Sequence, residues 1–323
     1  MSGVIGVVGV GMGGALLAPG EQPALRPDPV AEAARQVARE GVAERAGSTW
    51  DLPNLDHERV DYWVDRFTMV PEMREKMEGF LHRSGRYVPM LLEKLEERGM
   101  PRDLIYLAMI ESGFQATAYS PAHASGIWQF IGETGQRYGL AIDRAVDERN
   151  DPVKATDAAL DYLQELHDRF GSWYLAAASY NTGENRVGRI MREEFGRERA
   201  LGEEDYYRIW SRLPRETRDY VPLMIAAARI GKEPQKYGFA HVAPAPALEY
   251  DEVVVPPATP LASIADAAGV AVGEILALNP HFKLERTPNN RDYPVRLPPG
   301  SLGQFAAAWG IELGPETRPA VTE

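Results

Sequence analysis

Residues 103–114 read DLIYLAMIESGF. Leu104, Leu107 and Ala108 lie three or four positions apart, the spacing that puts side chains on one face of a helix, and Glu111 falls on the same stripe. A carboxyl group on an apolar helix face has two readings. It either reaches an arginine or a backbone N–H and is structurally satisfied, or it is kept out of water for use. Desolvation disfavours the ionised form, and lifting a glutamate pKa from about 4.3 to about 6 corresponds to roughly 2.3 kcal/mol. Such a group stays partly protonated near neutral pH, the condition for protonating a leaving oxygen.

The surrounding chain narrows the chemistry. With 323 residues and 44% hydrophobic content there is material for one good core and a smaller second domain. A net charge of −12 excludes an extended phosphate-binding surface, so nucleic acid is not an expected partner. No cysteine is present, which removes disulfides, thiolate metal sites, a thiol nucleophile and a lipid-accepting cysteine near the start. The six histidines are scattered and no His-Glu-x-x-His or clustered carboxylate set occurs, so neither metal nor cofactor is expected.

The first residues, MSGVIGVVGVGMGGALLAPG, admit three readings. Gly9, Gly11 and Gly14 fit the G-x-G-x-x-G spacing of a dinucleotide fingerprint, but Pro19, Pro23, Pro27 and Pro29 break the chain where its helix should run. A short apolar run followed by small residues and a Pro-rich stretch reads as a secretory segment over residues 1–28, atypical because the first arginine is Arg26. A disordered tail without function is the third reading. The apolar run is shorter than the roughly 20 residues a membrane span needs.

Residues 29–240 are helical in pattern, with a core at about 85–232 and no sustained period-two alternation. DPVKATDAALDYLQELHDRFG offers Asp151 as N-cap, Pro152 at the first helical position, a stripe of Val153, Leu160, Leu163, Leu166 and Phe170, and Gly171 as stop. Further helices are expected around Trp173 to Tyr180, Glu184 to Glu194 and Thr217 to Ile230. Five prolines between His241 and Pro260 mark residues 241–260 as a linker running into an edge strand. A small α+β domain, 248–313, then reads strand, helix, helix, strand, before a tail at 314–323. Its middle, SIADAAGVAVGEILALNP, has the rhythm of a helix-turn-helix. Charge argues against a DNA reader: from Pro246 onward ten acidic residues face five basic ones, and VGEILALN contains no basic residue. The same order resembles a LysM-like glycan-binding module, with a structural cap as the other reading.

The motifs after residue 103 carry a second resemblance. Glu111-Ser112 resembles the catalytic Glu-Ser of the family 1 lytic transglycosylases, the Slt-type enzymes related to goose-type lysozyme. Gly126-Ile127-Trp128-Gln129 is similar to their Gly-Leu-Met/Trp-Gln motif, SYNTGENRV to their Ala-Tyr-Asn-Ala-Gly motif, and ETRDYVP to the last motif, with Tyr220. All four come in the family's order across residues 100–225, and the LysM-like tail makes the layout closest to the membrane-bound members. Departures are Ser179 and Thr182 for the usual alanines, His123 where glycine is common, and Gly132 where a proline often follows.

The resemblance implies a mainly α fold, with a lysozyme-like helical catalytic domain and a small α+β LysM-like C-terminal domain. It also implies a place in the periplasm or cell envelope and peptidoglycan as partner, with association to the membrane. It makes Glu111 the single acid, then base, of a reaction that closes the C6 hydroxyl of N-acetylmuramic acid onto C1. Ordinary glycoside hydrolysis needs two carboxylates, and the acidic residues that follow, Glu133, Asp143, Asp147, Glu148 and Asp151, read as solvated faces or caps. Gln129, Tyr180, Asn181, Tyr220, Trp128 and Ser112 are the implied substrate-side residues. Each has a plainer reading: a backbone-capping amide for Gln129, core rings for Tyr180, Tyr220 and Trp128, an N-cap for Asn181, a helix-end hydroxyl for Ser112. Arg186 and Arg189 read either as partners of a muropeptide carboxylate or as a solvated face. A hydrolytic lysozyme and a catalytically dead glycan-binding scaffold remain as alternatives to the lytic reaction.

Overall fold

The structure, a computed structural model, describes residues 49–311. The apolar stretch and proline-rich segment of 1–28 and the tail 314–323 lie outside the described residues. These form two compact units, one of 49–140 with 152–246, the other of 141–151 with 247–311.

The first unit is helical. Its helices are α1 (Glu58–Met69), α2 (Pro71–Glu97), α3 (Ile105–Ser112), α4 (Gly132–Arg137), α5 (Pro152–Phe170), α6 (Trp173–Thr182), α7 (Glu184–Phe195), α8 (Asp205–Ile209) and α9 (Arg215–Lys232). Helix α5 runs from Pro152 to Phe170 and stops at Gly171, which takes φ +66°, as its capping residues imply. The Ser172 hydroxyl starts α6 by accepting from the Leu175 N–H at 3.1 Å.

Helix α9 is the hub, packing on α1, α3 and α6. It carries Pro222 inside, and proline removes the N–H that would bond the carbonyl four residues back. That orphaned carbonyl, of Arg218, instead accepts from Trp210 Nε1 at 2.7 Å and from the Tyr206 hydroxyl at 3.0 Å.

Helix α3 differs from the one-stripe pattern of the sequence. Leu104 belongs to a 3₁₀ turn before it, and Ile105 to Met109 and Ser112 are all buried, so the helix is enclosed on nearly every side. Only Ile110 and Glu111 are less than fully buried. The helix ends at Gly113, at φ +61°, whose N–H returns to the Met109 carbonyl at 2.8 Å. A Cβ at this glycine would stand 2.1 Å from the Phe80 ring, so the close approach requires glycine as much as the left-handed backbone does.

The second unit is a two-stranded antiparallel sheet, β1 (Asp251–Val255) and β2 (Tyr293–Leu297), with Val253 opposite Val295. Helices α10 (Leu261–Ala268) and α11 (Val272–Leu278) lie between the strands in sequence. Val253, Val255, Ile264, Ile275, Val295, Leu297 and Phe305 form its core. A third helix, α12 (Leu302–Trp309), follows β2 and was not legible in the strand-helix-helix-strand pattern. The Asp251 carboxylate fixes its start by accepting from the N–H groups of Gly300 at 2.9 Å and Leu302 at 3.1 Å.

The stretch 141–151 is built into this unit, and three of its acids are not solvated. Asp147 pairs with Arg149 at 2.7 Å. Glu148 accepts from the Tyr293 hydroxyl at 2.6 Å and from the Ala141 N–H at 2.7 Å. Asp151, 1% exposed, pairs with Arg296 at 2.8 Å, itself 3% exposed. Their partners lie up to 145 residues away, which no local pattern reveals. Removing one member of a buried ion pair leaves an uncompensated charge and costs about 3–5 kcal/mol. Asp151→Ala is therefore expected to lower the denaturation midpoint strongly, and the double variant Asp151→Ala/Arg296→Met to recover most of the loss, as read by urea unfolding.

Candidate active site

Glu111 sits at the junction of two cavities in the helical unit, of about 910 and 520 Å³, which share Ile110, Glu111, Ser120 and Gln129. Together they form a cleft that passes the carboxyl group on both sides. The larger side is walled by Phe130, Tyr180, Asn181, Glu216 and Tyr220, among others.

The wall between α3 and α4 is a tight loop held by its own backbone. Ser125 and Phe130 exchange N–H···O bonds of 3.0 and 3.2 Å around the turn Gly126 to Gln129, and the Gly126 N–H reaches back to Ala118 at 2.9 Å. Gln129 takes φ +49°, a left-handed conformation costing about 1 kcal/mol or more for a non-glycine residue. Its Nε2 donates to the carbonyls of Gly126 at 2.8 Å and Ala118 at 3.2 Å. The amide thus braces the loop as well as lining the cleft. The Ser112 hydroxyl ties α3 to the same loop, donating to the Ile127 carbonyl at 2.9 Å.

The Tyr220 hydroxyl, from α9, donates to Glu111 Oε1. Burial raises the Glu111 pKa to about 7; the Tyr220 hydrogen bond opposes this by favouring the ionised form, and the nearby Glu216 charge adds to the rise. Desolvation wins, so Glu111 is a carboxyl group poised between its two states at neutral pH. Burial first, and the Glu111 charge second, push Tyr180 and Tyr220 well above the ordinary tyrosine range, so both rings stay protonated donors.

The remaining residues singled out in the sequence divide into two sets. Tyr180 lines the cleft, but its hydroxyl donates to the Trp128 carbonyl at 2.8 Å and not to Glu111. Asn181 lines the cleft and accepts from the Thr217 hydroxyl at 2.8 Å; the cap of α7 is Gly183, so the N-cap reading of Asn181 does not apply. Trp128 is 1% exposed and lies behind the wall, its indole N–H donating at 3.0 Å to Thr156 on α5. Among the cleft's lining residues Trp128 does not occur, while its neighbour Phe130 does. Arg186 bonds the Thr182 hydroxyl at 2.9 Å and Arg189 pairs with Glu193 at 3.2 Å, both away from the lining.

Sequence reading missed three acids of this wall. Glu184 is held by Arg137 at 3.3 Å and by the Tyr162 hydroxyl at 3.1 Å. Asp219 is gripped in two-pronged fashion by Arg59 of α1, both bonds 2.7 Å. Glu216 alone of the three has no ion pair among the described residues. The signal for it was present: in ETRDY the glutamate precedes Tyr220 by four positions, one helical turn on the same face.

Residues 91–201 match the family description "Transglycosylase SLT domain". Residues 249–309 match "Lytic transglycosylase MltD, LysM-like domain". Residues 91–201 thus belong to the SLT transglycosylase domain family and residues 249–309 to the MltD LysM-like domain family. Among the chain's named relatives is the membrane-bound lytic murein transglycosylase D of Escherichia coli (strain K12), 33% identical over 225 residues, which are 68% of this chain and 48% of that protein. The chain spans about half the length of the curated relatives it matches. Two solved structures are more distant. The 70 kDa soluble lytic transglycosylase Slt70 of Escherichia coli is 20% identical, covering 60% of this chain and 29% of that one at a TM-score of 0.39. A lytic transglycosylase Slt of Pseudomonas aeruginosa is 19% identical, covering 68% and 44% at a TM-score of 0.37.

The raised pKa has a consequence for stability. Unfolding returns Glu111 to its ordinary value near 4.5, below the folded value of about 7. Below the lower value both states are protonated and the site costs nothing; above the higher one the folded state carries a desolvated carboxylate at a cost of about 3 kcal/mol. Glu111→Gln is expected to melt several degrees above the parent protein at pH 8, with the gap closing at pH 4. Calorimetry at the two pH values checks it.

Proposed function

We propose that this chain is a peptidoglycan lytic transglycosylase, a glycan lyase that cuts the β-1,4 bond between N-acetylmuramic acid and N-acetylglucosamine and leaves 1,6-anhydro-N-acetylmuramic acid ends. The observation that carries the reading is Glu111: a desolvated carboxyl group with pKa near 7, at the mid-point of a cleft open on both sides and held by one tyrosine. In its protonated form Glu111 gives its proton to the glycosidic oxygen as the bond from C1 to that oxygen breaks. The resulting carboxylate takes the proton of the C6 hydroxyl as O6 bonds to C1. No water is consumed, and Glu111 ends protonated, ready for the next bond.

Tyr220 keeps the Oε1 lobe oriented and supports the carboxylate that forms in mid-reaction. Gln129 and Asn181 offer amides suited to sugar acetamido and hydroxyl groups, and Phe130 and Tyr180 give an aromatic wall, their rings 6.0 Å apart. Membrane association and a place in the periplasm or cell envelope accord with the name of the MltD relative. Among the described residues no single helix is long and apolar enough to cross a membrane.

Hydrolysis is the second reading, and Glu216 is its support. It is a carboxyl group of the same cavity with no ion pair among the described residues, a place from which a general base can activate water. Digestion of purified peptidoglycan, with released fragments read by mass spectrometry, separates the two. The lytic reaction yields fragments lighter by one water, lost with Glu111→Gln. Full-mass reducing ends, lost instead with Glu216→Gln, establish hydrolysis; no release at all leaves a binding scaffold.

The pH profile is a further expectation. Only protonated Glu111 can start the reaction, so kcat/KM falls about tenfold per pH unit above pH 7. Tyr220→Phe removes the bond that favours the carboxylate, so that limb moves to higher pH while the maximal rate drops. Initial rates on a soluble glycan fragment across pH 5–9 check both.

A further inference from the structure

The smaller side of the cleft is walled by the first half of α2, residues 75–83, which lies ahead of the matched SLT residues 91–201. Four of its residues, Lys76, Gly79, Phe80 and Arg83, follow the i, i+3, i+4, i+7 spacing and share one face toward that cavity. Arg83 is fixed there. Its Nε donates to the Gly113 carbonyl, at the end of the helix carrying Glu111, at 2.7 Å. Two glycines clear room for its guanidinium: a Cβ on Gly79 would stand 3.0 Å from one terminal nitrogen, and one on Gly113 2.9 Å from the other.

No carboxylate among the described residues pairs with Arg83 or with Lys76, although the chain carries a net charge of −12 and most of its arginines in ion pairs use one. Partial burial lowers the Arg83 pKa, and no counter-charge among the described residues opposes it. Glu75, exposed beside Lys76, and Glu111 itself are the acids of this wall. A planar fork with free terminal N–H groups and an ammonium seven residues away are suited to carboxylate oxygens.

We propose that this end of the cleft binds the carboxylates of an acidic peptide carried by the glycan, with Arg83 and Lys76 as the residues that select a peptide-bearing strand over a bare one. The proposal rests on the cleft being the glycan-cleaving site. It turns the role that Arg186 and Arg189 offered in the sequence over to two residues of α2.

The test uses the full chain carrying Glu111→Gln as a non-cleaving host. Calorimetry gives Kd for a tetrasaccharide bearing acidic peptide stems and for the same tetrasaccharide with its stems removed, at low and raised salt. The expected result is a preference for the stem-bearing fragment that falls about tenfold on adding Lys76→Glu, and falls in the same direction on adding Arg83→Gln. The preference also narrows with salt, as exposed charge pairs are screened. Lys236→Glu, an exposed lysine outside the cleft paired with Glu233, leaves the preference unchanged. An unchanged preference in both α2 variants overturns the proposal, as does a parallel weakening for the two fragments or no binding of either. Digestion by the unmodified protein is scored separately: fragments that bind with the stated preference but are never cut overturn the lytic reading and leave the subsite standing.

Discussion

A carboxyl group held away from water with one tyrosine hydroxyl as its donor is the constraint from which the helical unit takes its form. Glu111 can be desolvated because α3 is sunk in the core with only its last turn reaching the cleft. The donor has to come from elsewhere, and α9 brings Tyr220 by packing on α3, α6 and α1 at once. A helix so placed has little freedom, and its details agree: Arg59 grips Asp219 next to Tyr220, and the carbonyl that Pro222 leaves open is filled by Trp210 and Tyr206. The Tyr220 bond lowers the pKa and burial raises it, and the surplus of burial brings the group to about 7.

The opposite wall obeys a different logic. Its precision comes from backbone bonds and a strained residue, with side chains bracing the loop that displays them. Gln129 holds Gly126 and Ala118 with the same amide that faces the cleft, so its conformation and its contacts cannot vary independently. Trp128, buried behind it, supplies the carbonyl that fixes the Tyr180 ring. A change at Trp128 therefore reaches the cleft through Tyr180 although the indole never touches it.

Much of this was legible in the chain, for identifiable reasons. Helix α5 announced itself through Pro152 and Gly171, because capping is local chemistry. Glu111 stood out because a charge in an apolar run is anomalous without any knowledge of its neighbours. Gln129 and Tyr220 were singled out by motif resemblance, since pattern alone would have left a backbone-capping amide and an ordinary core ring. What escaped depends on partners distant in sequence. Glu148 and Asp151 read as a solvated face and a cap because Tyr293 and Arg296 come 145 residues later. Helix α12 takes its start from Asp251, 51 residues ahead of Leu302, and Glu216 was hidden by the polar company of ETRDY. The stripe of α3 was read on the wrong premise: a helix enclosed on nearly all sides has no single apolar face to find.

The stretch 141–151 gives the C-terminal unit a history in time. Its chain is made early, between α4 and α5, yet Asp151 meets Arg296 only after a further 145 residues have been added. At a synthesis rate of 5–20 residues per second the wait is on the order of ten seconds. Throughout that interval Glu148 and Asp151 are without Tyr293 and Arg296, the partners they will be buried against. The sheet and the segment 141–151 cannot be joined until β2, which carries Arg296, has been made. A single cut in the gene cannot release the unit either, because a piece starting at residue 247 buries Arg296 and leaves its counter-ion behind.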